Sequence, residues 1–272
     1  MKIIPYLLFS CLSVMTACGD DAPSPTDNSD ESDDPVVSVE KLVTIDAGQT
    51  YQTIAGFGAS DCWSPAYVGK YWTRGRERIS ELLFSSEIAD GQPKGIGLSQ
   101  WRVNLGGGSA EQGDASGIED KSRRAESYLT DALTYDWSRC EGQRYFMSRA
   151  KALGCNNFVL FSNTPPVQYT YNGKGFSAQG GSSNLKLEHY EDFATYMAEV
   201  AAYYEGEGYT ISQISPVNEP QYNWESGQEG SGWKNVQIAE VARLLDEKLI
   251  AKGLSTGILL GEAGDWEYLY KV

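Results

Sequence analysis

Along most of the chain the hydrophobic positions switch between two periods. Short apolar runs rich in β-branched and aromatic residues predict strands over Thr53–Phe57, Gly97–Val103, Asn157–Phe161, Ile211–Val217 and Gly257–Leu260. Between them, apolar residues three and four apart predict helices over Arg74–Phe84, Arg144–Leu153, His189–Tyr204 and Val236–Lys252. The third is the clearest, with Phe193, Tyr196, Met197, Val200, Ala201 and Tyr204 in one stripe. Gly154 and Gly253 follow helix ends, where a left-handed residue closes the last turn. Val36–Ile45 is a further β-rich stretch, read as an outlying strand.

Repeated strand-helix units predict an α/β fold with a parallel sheet buried on both faces. The pattern fits an open doubly wound sheet or a (β/α)8 TIM barrel. No nucleotide-type glycine fingerprint occupies a strand-to-helix turn, and Gly106-Gly107-Gly108 lacks the lysine and spacing of a phosphate loop. Long polar loops after the strands favour the barrel, whose sites lie at strand C-terminal ends. Five units are visible where a barrel has eight, so an incomplete barrel is expected.

The first residues are set apart from the fold. Lys2, an apolar run and then Met15-Thr16-Ala17-Cys18 predict a leader over residues 1–18, too short for a comfortable transmembrane helix. It resembles the lipobox of bacterial lipoproteins, which implies lipid attachment at Cys18. Residues 19–38 form an acidic linker with almost nothing to bury. Acids directly after Cys18 resemble a surface-export signal, so anchorage to the outer membrane facing outward is expected, with the membrane met through the lipid alone. Residues 39–272 are left for the catalytic barrel.

Charge and composition then narrow the chemistry. A formal net charge of −15 disfavours a polyanionic partner, and nucleic acid is not expected. The single histidine, His189, leaves little for metal sites or a Ser-His-Asp apparatus, so no metal and no cofactor is expected. Cys62, Cys140 and Cys155 show no paired spacing and define no disulfide framework. Acid/base work falls to carboxylates.

The informative segment is Ile214-Ser215-Pro216-Val217-Asn218-Glu219-Pro220, an apolar strand closed by a proline that cannot extend the ladder. It sets Glu219 at the strand tip facing the mouth, where apolar walls raise a carboxyl pKa as a general acid requires. Asn218 offers a donor and an acceptor to a sugar hydroxyl. Other strand ends carry Asp61 and Trp63, then Arg102 and Asn104, then Asn163, then Tyr222 and Trp224, with Glu262 closing the fifth. Aromatic faces interleaved with amides and acids suit a carbohydrate.

Gly56-Phe57-Gly58, Trp101-Arg102-Val103-Asn104, Ser162-Asn163-Thr164-Pro165-Pro166 and Val217-Asn218-Glu219-Pro220 resemble glycoside hydrolase family 30. The resemblance implies a (β/α)8 barrel with a side β-domain, to which the N-terminal strand belongs, and a retaining mechanism on a β-linked glycan. It implies Glu219 as acid/base, Asn218 as its sugar-binding neighbour and Asp61 as a sugar ligand. Asn163 stands where the glucosylceramidase branch carries Trp, and its loop looks closer to endo-β-1,6-galactanases. The family nucleophile is a Glu ending the seventh strand, so it is expected outside these 272 residues. Glu262 is weighed as a substrate contact, and the chain alone is expected to be inactive. The alternatives are a non-catalytic carbohydrate-binding surface lipoprotein and an inactive truncated product.

Overall fold

The computed structural model describes Thr44, residues 46–177 and residues 182–270. Cys18, the leader, the linker and all of the Val36–Ile45 stretch except Thr44 lie outside the described residues. The chain divides after Gln52, and the unit from Thr53 onward carries the site.

β1 (Gly58–Ser60) leads into α1 (Ser64–Tyr71) and α2 (Arg76–Phe84). A small antiparallel hairpin, β2 (Ile88–Ala89) with β3 (Gln92–Pro93), precedes β4 (Gln100–Asn104), and α3 (Ser109–Gln112) follows. Then come α4 (Glu141–Ala152), β5 (Asn157–Phe161) and α5 (Tyr190–Gly206). The chain continues through β6 (Ile211–Ser215), α6 (Asn235–Ala251), β7 (Gly257–Ile258) and α7 (Trp266–Tyr270). The strands pair in parallel in the order β1-β4-β5-β6-β7, as an incomplete barrel of five strand-helix units requires.

Trp101, Val103, Phe158, Leu160 and Ile214 are buried and join the core that includes α4, α5 and α6 residues. On the alternate positions Arg102, Val159 and Gln213 stand side by side in register and only half-buried. The sheet is therefore closed on one face, where burial on both had been expected. β6 reads Ile-Ser-Gln-Ile-Ser, which does not alternate. A register shift between Phe158 and Val159 accommodates one extra residue, so Ile211 and Ile214 both stay buried. The α5 stripe is buried throughout, each large side chain contributing about 1.5–3 kcal/mol of transfer free energy.

Element limits differ from the periodic pattern where glycine intervenes. The first strand begins at Gly58, beyond the predicted Thr53–Phe57, because backbone pairing starts at the Phe57 carbonyl, which accepts from Ser99 N and Gln100 N. A Cβ on Gly56 or Gly58 would lie 2.6 Å and 2.9 Å from Ser99 and Gln100 side chains, so this edge pairs only through glycine. β4 cannot start at Gly97, whose φ is +64°. Helix α1 escaped the pattern, being short and carrying Gly69 on its buried side. A Cβ on Gly142 would lie 1.8 Å from the Ala66 carbonyl, so α1 and α4 touch backbone to backbone. Gly154 and Gly253 take φ of +97° and +69°, as their places after helix ends predict.

Candidate active site

The turn after β6 places Glu219 four residues beyond the strand, further out than the predicted strand tip. Ser215 Oγ donates to Val217 O at 2.8 Å and bends the chain, and Glu219 then adopts φ +42°, left-handed for a non-glycine residue. Its backbone is fixed from two sides. Glu219 N donates to Glu262 O at 2.9 Å, and Trp224 Nε1 donates to Glu219 O at 3.1 Å. Trp224 meets Tyr222 edge-on at 5.8 Å and lies over Gly230, where a Cβ would sit 2.2 Å from the indole.

Arg102 ties three strand ends together. Its Nη2 donates to Asn218 Oδ1 at 2.9 Å and to Glu262 Oε2 at 3.2 Å, while the guanidinium lies 3.4 Å above the Phe161 ring. Burial pushes the Glu219 carboxyl above the ordinary range, Arg102 pulls it back, and the Glu262 charge raises it again. The resulting group keeps its proton to higher pH than a free glutamate, which suits a general acid. Glu262 Oε1 and both polar atoms of Gln221 are buried near it without partners. Buried groups of this kind take a partner from outside the chain, water or ligand. Gly264 closes the cluster, with space for no side chain against Glu219 Oε1 at 2.6 Å.

The predicted residues thus separate into two groups. Asn218, Glu219, Arg102, Glu262, Tyr222 and Trp224 come together. Asp61, Trp63, Asn104 and Asn163 form a second group at the ends of β1, β4 and β5. Asp61 has no exposed surface, accepting from Asn104 N at 2.9 Å and from Gln143 Nε2 at 2.7 Å. Burial carries its pKa up to about 7. Its two oxygens thereby brace adjacent strand ends, and the residue lines the cleft beside α1. Asn104 and Asn163 are buried as well, Asn163 Nδ2 donating to Cys62 Sγ at 3.3 Å. They too brace the strand ends. Trp63, half-buried beneath Arg123 at 4.9 Å, borders a cleft of about 270 Å³ between α1 and the loop after β4.

Sequence reasoning missed Gln143 and Glu229. Glu229 is wholly buried and accepts from Gly107 N at 2.8 Å and Ser109 N at 3.0 Å, with its pKa raised by burial to about 7. The glycine run that holds no phosphate holds this carboxyl instead. The run signals only that its amides need an acceptor, and nothing in the sequence points to Glu229 as that acceptor. His189 caps α5, its Nδ1 2.7 Å from Asp192 Oδ2. Among the described residues no cluster could hold a metal ion, no helix is long and apolar enough to cross a membrane, and Cys62, Cys140 and Cys155 are free.

The model of O-glycosyl hydrolase family 30 matches residues 40–272. An endo-β-1,6-galactanase of Hypocrea rufa is 27% identical over 248 residues, covering 84% of this chain and 50% of the relative. A conserved exported protein from Bacteroides fragilis superposes with a TM-score of 0.79 at 35% identity, over 84% of this chain and 47% of that one. The catalytic domain of a xylanase from Talaromyces cellulolyticus shares the fold, with a TM-score of 0.58 at 22% identity over 81% of this chain and 49% of its own. The chain spans about half the length of the relatives it matches.

Proposed function

The chain belongs to O-glycosyl hydrolase family 30, and from that premise we propose that it serves a retaining glycosidase acting on a β-linked glycan, with Glu219 as acid/base. The carrying observation is the position and environment of Glu219, a carboxyl with raised pKa fixed at the end of the fourth barrel strand. Double displacement uses it twice. Protonated, Glu219 gives its proton to the leaving glycosidic oxygen while a second carboxylate attacks the anomeric carbon; deprotonated, it then takes the proton of the water that frees the sugar.

Asn218 is held for substrate. With Oδ1 accepting from Arg102, its Nδ2 is left to donate to a sugar hydroxyl beside the scissile bond. Glu262 is committed to Arg102 and acts as a brace and substrate contact. The nucleophile is expected on a seventh strand, by the resemblance. The galactanase relative and the Ser162–Pro166 loop support a β-1,6-galactan as substrate. The leader supports attachment through Cys18 to the outer membrane, facing outward.

Leaving-group dependence tests the assignment. In a form of the protein that carries the seventh-strand nucleophile, Glu219→Ala should slow glycosides with poor leaving groups by roughly 10²- to 10⁴-fold while sparing those with activated ones, which need little protonation. Equal loss on both substrate types removes Glu219 from the role.

A further inference from the structure

Glu229 is a wholly buried carboxyl that the acid/base chemistry leaves unused. It stands where three loops meet. Just after β4, Gly107 N donates to its Oε2 at 2.8 Å and Ser109 N to its Oε1 at 3.0 Å. The loop after β5 packs on its stem, since a Cβ on Gly175 would lie 2.9 Å from Glu229 Cγ. Gly230 N, next in sequence, donates to Gly175 O at 2.8 Å.

The third loop, after β6, carries the acid/base residue. Between Ser215 and Asn235 it forms no strand or helix. It nevertheless holds Glu219 at φ +42° and Trp224 at φ +51°, both left-handed and neither glycine. Such conformations persist where the surroundings over-determine them. Trp224 Nε1 ties the two together by donating to Glu219 O at 3.1 Å. The indole lies directly on Gly230, with no room for a Cβ between them, so the placing of residue 230 sets the placing of the ring. Ser177 holds the backbone alongside, its N donating to Trp224 O at 3.1 Å and its Oγ to Asn223 O at 2.8 Å. Residue 230 is in turn anchored by the Glu229 carboxyl. Burying an ionisable group is costly, and an apolar side chain of similar volume would join the loops about as well. What the carboxyl adds is an acceptor for each of two amides, where an amide side chain would turn a donor toward one of them.

We propose that Glu229 is a positioning residue of the reaction: by fixing residue 230 to the amides after β4, it seats the Trp224 indole and, through it, the Glu219 backbone. The inference rests on the acid/base reading of Glu219 and adds the residue that holds it in place. NMR of the full chain tests it, with the Trp224 indole N–H assigned through Trp224→Phe. Glu229→Gln keeps the shape and removes one acceptor. It should move the indole resonance and speed its solvent exchange at least roughly ten-fold, as loss of one charge-assisted bond allows. Val200→Ala, a truncation in the α5 core, should lower stability and leave the indole unmoved. In a form that carries the seventh-strand nucleophile, Glu229→Gln should lower kcat on glycosides with poor leaving groups while KM stays nearly unchanged. Should Glu229→Gln not fold, native-state exchange of the parent chain decides: the Trp224 indole and the Gly107 and Ser109 amides should open together, at a lower free energy than α5. An unmoved indole, an equal response in Val200→Ala, an unaltered kcat, or an indole that opens apart from the two amides or only with α5 overturns the proposal. Glu219→Ala slowing both classes of glycoside alike, while Glu229→Gln still moves the indole, sinks the catalytic reading and leaves the link from Glu229 to Trp224 standing.

Discussion

Replacing Arg102 with methionine isolates the contact that holds the site together. Methionine keeps the length of the side chain and its packing on Phe161 while deleting the charge and the donors. Two interactions vanish, the 2.9 Å bond to Asn218 Oδ1 and the 3.2 Å ion pair with Glu262. Breaking a fully buried pair costs about 3–5 kcal/mol, and an exposed one about 0–1 kcal/mol. With side chains 25% and 19% exposed, this pair falls between those limits, and about 2 kcal/mol is the reasonable cost. Urea denaturation should then show a midpoint lower by about 1 M with an unchanged slope. A second readout separates chemistry from stability. Arg102 pulls the Glu219 pKa down, so its removal raises that pKa. The limb of the rate profile that needs protonated Glu219 should move to higher pH. Arg102→Lys, which retains the charge, should hold the limb near its original place. A midpoint within error of the parent together with an unmoved limb would refute the bridging role.

Gly230→Ala should displace the Trp224 indole, because the added methyl falls within the ring; tryptophan emission should shift and glycan turnover should drop while most secondary structure by circular dichroism persists. Stability should fall as pH rises. Asp61 and Glu229 have folded-state pKa values raised to about 7 from 3.8 and 4.5, so the fold binds more protons than the unfolded chain. Their contribution is complete below the unfolded values and is lost through pH 7; Asp61→Asn should lessen the fall of the urea midpoint between about pH 4 and pH 7, the window in which these shifts act. Cys18→Ala should release the protein from the membrane fraction and stop fatty-acid labelling, and a variant that still labels would end the lipoprotein reading.

Helices α2, α4, α5 and α6 and strand β5 were legible because their burial follows one period. The α5 stripe from Phe193 to Tyr204 and the Asn157–Phe161 strand needed no tertiary information. What escaped depended on contacts across the chain. The edge strand was misplaced because its pairing is made through Gly56 and Gly58 against residues more than forty positions away. The grouping of Glu219 with its neighbours was legible from the Asn-Glu-Pro turn, although the strand itself ends earlier, at Ser215. Glu229 was not, since only the fold brings it to the amides of Gly107 and Ser109. Nor was the bracing of Asp61, which Gln143 supplies from α4, eighty-two residues away.

The configuration of an azide product reports most directly on Glu219. In a retaining double displacement the acid/base carboxylate stands on the face from which the second nucleophile arrives. With Glu219→Ala, added azide should attack the glycosyl-enzyme from that face, restore turnover on an activated β-glycoside and yield a β-glycosyl azide, identified by the anomeric proton coupling in NMR. An α-glycosyl azide would mean that azide had replaced Glu219 itself in a single inverting step, making it the nucleophile and contradicting the acid/base assignment.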